Sequence, residues 1–192
     1  KAAGQEKKEQ IAAANIDTVF LVTSLHADLN LRRIERYLAT IWESGARPVI
    51  ILSKADLCDD GVTAIQAVAE VAFGVPIHAL SAATGKGLDQ LEEYLKPGQT
   101  VALLGSSGVG KSTLINRLLG HDVQKVLEIR EDDARGRHAT TARRVFLLPG
   151  RGMLIDTPGM RELQLWDASE GLSQTFDDIE SLAEQCRFRD CR

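Results

Sequence analysis

The run Gly105-Ser106-Ser107-Gly108-Val109-Gly110-Lys111-Ser112-Thr113 has the residue types and spacing to hold a chain of phosphates. Gly105, four intervening residues and then Gly110-Lys111-Ser112 keep the backbone free of bulk, so successive N–H groups can curl around phosphate oxygens. The start of a following helix adds partial positive charge at the same place. Lys111 would reach the β- and γ-phosphates of a nucleotide, a catalytic as well as a binding role, and the Ser112 hydroxyl would ligate Mg2+. A chance glycine turn would carry the same letters. It would not be expected between a strand-like apolar run, TVALLG (100–105), and a helix-like one, STLINRLLG (112–120), and that context favours phosphate binding.

Asp156-Thr157-Pro158-Gly159 closes a second apolar run. An aspartate there can hold Mg2+ through a water, and the Gly159 amide can meet a γ-phosphate. By itself the tetrapeptide is also an ordinary turn, since Asp, Pro and Gly all favour turns. Base selection has a candidate in Ser53-Lys54-Ala55-Asp56, which ends RPVIILS (47–53). The Asp56 carboxylate can accept from N1 and N2 of guanine, donors that adenine lacks, while the aliphatic stem of Lys54 covers the ring face. Ser81-Ala82-Ala83, after VPIHAL (75–80), offers a backbone amide for guanine O6. A surface Lys–Asp pair is the plainer reading, but both stretches sit at strand C-terminal ends, where open α/β sheets build nucleotide sites. Together they favour GTP over ATP, and they argue against a P-loop ATPase or kinase.

Residues 121–141 are charged and weakly apolar and read as a mobile loop. Its end, RGRHATTARR (135–144), is the candidate first switch, in which Thr140 or Thr141 closes over Mg2+ and the γ-phosphate only with GTP bound. Arg135, Arg137, Arg143 and Arg144 read individually as a solvated basic loop. Met160 follows the DTPG segment, where Ras-like enzymes place a water-orienting glutamine. A thioether has no donor and no good acceptor for water, so intrinsic hydrolysis is expected to be slow. His138 is the candidate replacement, because an imidazole can orient or deprotonate water; an exposed loop histidine is the alternative. Cys186 and Cys191 could be half of a zinc site, whose ligands normally number four. Cys58 reads as an ordinary free cysteine, and Trp42 and Trp166 as packing residues.

These groups need a framework to converge, and 192 residues suffice for one well-buried domain and a small appendage. A net charge of −4 excludes a chain-wide basic nucleic-acid footprint, so RNA contacts are expected from local patches or from parts outside this chain. No apolar run approaches the length of a membrane span, so no membrane partner is expected. Three cysteines give no disulfide framework, as in a reducing cytoplasm. The start at Lys1 and the stop at Arg192 read as a fragment cut at both ends.

Along the chain, strand and helix signals alternate: strand 17–24, helix 30–44 with a stop at Gly45, strand 47–53, helix 61–72, strand 75–80, helix 87–95, strand 100–105, helix 112–120. Residues 143–150 and 152–156 read as two strands joined by a short turn at Pro149–Gly152, and TFDDIESLAEQCR as a helix outside the sheet. The expected fold is α/β, a mainly parallel sheet with helices on both faces. The division is a polar lead-in (1–14), a nucleotide-binding domain (15–160) and a helical C-terminal segment (161–192).

The order of motifs is unusual. In an ordinary G domain the phosphate loop, switch and DxxG precede the base motif and the SA[KA] loop; here the base motif and SAA come first. In this the chain resembles the circularly permuted GTPases of ribosome assembly, and within them the RsgA (YjeQ) family of small-subunit biogenesis GTPases. The residues that carry the resemblance are IDTVFLVTSLHADLNLRRIERYL, LSKADL, GSSGVGKSTLINRLLG, GRHATT, LIDTPGMRE and FDDIESLAEQCRFRDC. Ser53 stands where the base motif usually has asparagine, and HATT where relatives often show three threonines. The resemblance implies a P-loop, Ras-like G domain that binds GTP and GDP with Mg2+. It implies slow GTP hydrolysis activated on the small ribosomal subunit, and contacts with rRNA made mainly by an N-terminal OB-fold and a zinc-binding region. Cys186 and Cys191 would be the first half of that region, with zinc bound in the full-length protein. The expected state is a cytoplasmic monomer. A non-hydrolysing guanine-nucleotide-binding module is the alternative. The permuted order leads from Gly159 directly into the C-terminal segment, so loss of the γ-phosphate would move an RNA-contacting module.

Overall fold

The computed structural model describes residues 15–25, 29–58, 60–120 and 144–157. Six strands form one sheet in the order β3-β2-β1-β4-β6-β5: β1 (Thr18–Ser24), β2 (Arg47–Ser53), β3 (Ile77–Ala79), β4 (Thr100–Leu104), β5 (Arg144–Leu147) and β6 (Met153–Asp156). All neighbours pair in parallel except β5 and β6, which form an antiparallel hairpin. The expected strands and the mainly parallel sheet are borne out, with ends trimmed by up to three residues.

The strands read as continuous apolar runs because both faces of the sheet are covered. Val19 and Leu21 point into one core with Ile50, Leu52, Ala102 and Leu104. That core is roofed by α1 (Leu31–Glu43) and α2 (Gly61–Val71). Phe20 and Val22 point the other way, into a core with Val49, Ile51, Val101, Leu103 and Leu154 beneath α3 (Lys111–Leu119). Ile34, Leu38 and Ile41, at helical spacing along α1, are buried, joined by Tyr37. Asn30 caps α1 by accepting from the Arg33 amide at 3.0 Å, and Gly45 ends it at φ 73°. Trp42 packs against the α1–α2 core, as expected of a packing residue, and Cys58 is a free thiol.

The helix expected over 87–95 differs. Residues Leu88–Tyr94 form a 3-10 helix, tighter than an α-helix, while still burying Leu91, Tyr94 and Leu95 beside α3. Its start is tethered: Gly87 lies at φ 80°, and a Cβ there would come 2.8 Å from the Ala79 carbonyl oxygen. Tyr94 meets Phe20 edge-on with ring centroids 5.7 Å apart, and its hydroxyl lies 3.0 Å from His78 Nε2 on β3. The hairpin turn expected at Pro149–Gly152 is present, closed by Leu148 N–H to Gly152 O and Arg151 N–H to Leu148 O, both 3.0 Å. The lead-in 1–14 and the segment beyond Thr157 lie outside the described residues.

Candidate nucleotide-binding site

Parallel pairing puts the C-terminal ends of β1, β2, β3, β4 and β6 along one edge of the sheet. The chain reverses its direction of growth between β1 and β4: β2 and β3 are added on one side of β1, and β4 and β6 on the other. This topological switch point is where open α/β sheets leave a crevice for ligands. The phosphate-type loop sits in it, between the end of β4 and the start of α3.

The loop's glycines are needed for two separate reasons. Gly105 lies at φ 150°, and a Cβ there would be 2.2 Å from the Val22 carbonyl oxygen of β1, so only glycine lets the chain leave β4 this close to its neighbour. Gly108 and Gly110 lie at φ 80° and 100°, in the left-handed region. Lys111 is buried at the first turn of α3, and its ammonium donates to the carbonyl oxygens of Gly105 and Ser106 at 2.6 and 2.9 Å. The lysine is thereby folded over the loop it would serve. Ser106, Ser112 and Thr113 are half-buried around it, Ser107 is exposed and Val109 is buried.

The base-reading candidates come up beside this loop. Ser53 is buried at the end of β2, and its hydroxyl lies 2.5 Å from the Val109 carbonyl oxygen and 3.1 Å from that of Thr23. One short side chain thus ties the base segment to the phosphate segment across 56 positions of sequence. Lys54 follows in the left-handed region at φ 57°, and this sharp turn starts the 3-10 turn Ala55–Leu57, on which Asp56 is exposed. Ala55 N–H donates to Leu80 O at 3.1 Å, fixing this turn against the end of β3.

The Ser81-Ala82-Ala83 loop needs one adjustment. The Ser81 amide donates to Lys86 O at 3.0 Å, and its hydroxyl accepts from the Thr84 amide at 3.2 Å. Ser81 is therefore a buried brace of the loop, and a base-facing amide has to come from Ala82 or Ala83. Sequence offers a hint of this, because Ser-x-x-Thr is a pattern in which a hydroxyl caps a turn.

Asp156 is fully buried at the end of β6, in register with Leu103 of β4, one residue before the loop-bearing end of that strand. Thr157 was not anticipated. It is buried, and its hydroxyl donates to Leu103 O at 2.6 Å, pinning the chain as it leaves β6 to the strand that feeds the phosphate loop. The Asp156 carboxylate thus ends β6 one residue short of the strand end that leads into the phosphate-type loop. Ser112, half-buried at the start of α3, and Asp156, buried at the end of β6, both offer oxygen donors of the kind Mg2+ takes. His138, Thr140, Thr141, Gly159, Cys186 and Cys191 lie outside the described residues, as does Met160. Among the described residues there is no group of three or more His, Cys, Asp or Glu side chains that could hold a metal. No helix among them is long and apolar enough to cross a membrane.

Comparison with known proteins gives the same picture from outside. The family model for the RsgA GTPase matches residues 2–166. A small ribosomal subunit biogenesis GTPase RsgA of Methanosarcina acetivorans is 56% identical over 190 residues, 99% of this chain and 52% of its own length. A small ribosomal subunit biogenesis GTPase RsgA 2 of Lactiplantibacillus plantarum is 58% identical over 182 residues, 95% of this chain and 51% of its own. The chain thus spans about half the length of the curated relatives it matches. Among solved structures, YjeQ from Thermotoga maritima superposes with a TM-score of 0.67 at 30% identity, over 92% of this chain and 59% of its own. YloQ, described as a circularly permuted GTPase, superposes with a TM-score of 0.64 at 26% identity, over 92% and 56%. The fold is that of a circularly permuted P-loop GTPase, and the chain belongs to the RsgA GTPase family.

Proposed function

We propose that residues 15–160 are the G domain of a GTP-hydrolysing switch that acts in maturation of the small ribosomal subunit. The observation that supports it best is the Ser53–Val109 hydrogen bond, which joins a guanine-type base motif to a phosphate-type loop. The names of the relatives, small ribosomal subunit biogenesis GTPases, supply the biological setting.

On this reading Asp56 accepts from guanine N1 and N2, and the Lys54 stem covers the ring. An amide of Ala82 or Ala83 meets O6, with Ser81 shaping that loop. The amides of residues 105–113 cradle the phosphates, and Lys111 exchanges its carbonyl partners for β- and γ-phosphate oxygens. Ser112 and Asp156, with Thr140 or Thr141, would hold Mg2+, which would supply neutralisation of the phosphates' negative charge. The Gly159 amide meets the γ-phosphate, and His138 orients the attacking water. Water attacks the γ-phosphorus, GDP leaves, and inorganic phosphate is the other product. The base and phosphate halves are held rigidly in the sheet, so the switch action falls to the segments on either side of the β5–β6 hairpin. Through Gly159 it passes to residues 161–192, with zinc on Cys186 and Cys191 as part of a larger set. Contacts with rRNA are assigned mainly to the half of the relatives that this chain does not span. The setting is cytoplasmic and the state monomeric.

Met160 favours a second reading, a guanine-nucleotide-binding module with negligible turnover. Measuring GTP hydrolysis by the whole protein with and without small ribosomal subunits separates the two. Slow hydrolysis that rises steeply with subunits is expected, and hydrolysis unchanged by them would leave only the binding module.

A further inference from the structure

The far end of the sheet, away from the nucleotide loops, is organised around one short turn. Lys96-Pro97-Gly98-Gln99 joins the 3-10 helix to β4, closed by Gln99 N–H to Lys96 O at 3.0 Å, with Gly98 at φ 84°. In the permuted order this turn is the covalent join between the base half and the phosphate half. Around it three other strands begin. Gly152 N–H donates to Leu95 O and Met153 N–H to Gln99 O, both at 2.9 Å, so the start of β6 is held directly against the turn. Thr100 N–H donates to Asp17 Oδ2 at 2.7 Å and Thr100 O accepts from Asp17 N–H at 3.0 Å. Asp17 O in turn accepts from Arg47 N–H at 3.0 Å, which brings in the start of β2.

Gly152 is the tight point. A Cβ there would lie 2.2 Å from Gln99 O and 2.8 Å from Lys96 O, both backbone atoms held in hydrogen bonds of their own. Neither can swing aside like the tip of a flexible side chain. Gly150, two residues earlier, is a different case: it lies at φ 68°, with nothing within 4 Å of an added Cβ. The first position needs glycine for space and the second for conformation.

The strand that starts at Gly152 ends at Asp156, with Thr100 opposite Met153 and Leu103 opposite Asp156. Over so short a parallel ladder, displacing the start of the strand displaces its end. We propose that Gly152 is a positioning residue for the metal side of the nucleotide site: by letting β6 begin flush against the Leu95–Gln99 join, it sets the height at which Asp156 stands beside the phosphate loop. The base segment hangs from β2 and the loop from β4, which β1 braces independently from Thr18–Val101 to Leu21–Leu104. The proposal rests on the nucleotide-site reading above.

The test compares Gly152→Ala and Gly150→Ala in the whole protein, measuring affinity for a fluorescent, non-hydrolysable GTP analogue with magnesium and with a chelator. Both variants are expected to melt earlier. Only Gly152→Ala is expected to lose magnesium's enhancement of affinity, by about tenfold, the scale seen when the groups that orient a metal ligand are disturbed. Affinity in chelator should stay within about twofold of the parent for both, since neither alters the phosphate loop or base segment. An equal loss in the two variants, or none in Gly152→Ala, would overturn the proposal. If Gly152→Ala does not fold, Met153→Pro, at the first residue of β6, removes the N–H that holds β6 to Gln99 O and leaves β4 untouched. The same selective loss is then expected, and an unchanged magnesium effect overturns the idea. A parent protein that binds the analogue no better with magnesium would instead remove the metal-site reading, and this proposal with it.

Discussion

Ser53 shows how much one atom decides. Its single hydroxyl proton faces two carbonyl oxygens, those of Val109 and Thr23, in a place almost closed to water. Ser53→Ala leaves both acceptors without that donor, which costs about 1–3 kcal/mol of stability. Denaturant unfolding of the variant should show a midpoint shift of that size, accompanied by weaker nucleotide binding. Asp56 is the opposite kind of residue, exposed and free to meet a ligand. Asp56→Asn should move preference from guanine to xanthine nucleotides in a competition assay, because an amide can donate to the carbonyl that replaces the guanine amino group. Unchanged preference would count against the base assignment. At this scale the sequence singles out Ser53, Asp56 and Lys111 by side-chain chemistry alone, and the fold gathers Ser53 and Lys111 around one loop. The sequence is silent where the role is a contact made by folding. Nothing in DTPG marks Thr157 as a donor to Leu103 O, and nothing in RGM marks Gly152 as a point of contact with the Gln99 carbonyl.

Among the elements, β4 and its loop are the most constrained. Gly105→Ala would force a methyl group against the Val22 carbonyl, so the loop or β1 must shift. Loss of nucleotide binding together with a markedly lower melting temperature is expected, and calorimetry with and without GDP measures both. The 3-10 helix is the element that periodicity described least well. Leu88, Leu91 and Leu95 are spaced equally well for an α-helix; the tighter form goes with a Gly87 backbone set close against Ala79 O and with packing beside α3, neither of which periodicity records. That helix carries a pH-dependent contribution. Burial, then a hydrogen bond to Glu93 and that carboxylate's charge, hold the Tyr94 phenol above its usual 10.0, against a smaller opposing effect of Arg47. A raised value means that the folded state keeps its proton longer than the unfolded one. The stabilisation is therefore complete below pH about 10 and fades as pH climbs from there through the folded value. Melting curves should fall over that alkaline range in the parent and fall less in Tyr94→Phe.

At the scale of the whole molecule, the order of motifs revealed more than any single motif. A base motif ahead of a phosphate loop implied both the permuted arrangement and the family, and the sheet order β3-β2-β1-β4-β6-β5 agrees with it. Hydrophobic runs were enough to place the strands because a doubly covered parallel sheet needs them apolar throughout. The meeting of the starts of β1, β2, β4 and β6 around one short turn was not legible, since, the Asp17 carboxylate apart, it is made of backbone groups that every sequence shares. The permutation has a further consequence in time. Thr18 of β1 is paired with Val101 of β4. At ribosomal synthesis rates that separation is about 4–17 s. While β4 is still unmade, one hydrogen-bonding edge of the sheet's central strand, with Thr18, Val19, Phe20 and Leu21 along it, stands open in the nascent chain. An ordinary G domain makes its phosphate-loop strand first; here the strand that closes the centre arrives late, and the growing polypeptide carries a bare template for strand addition in the meantime.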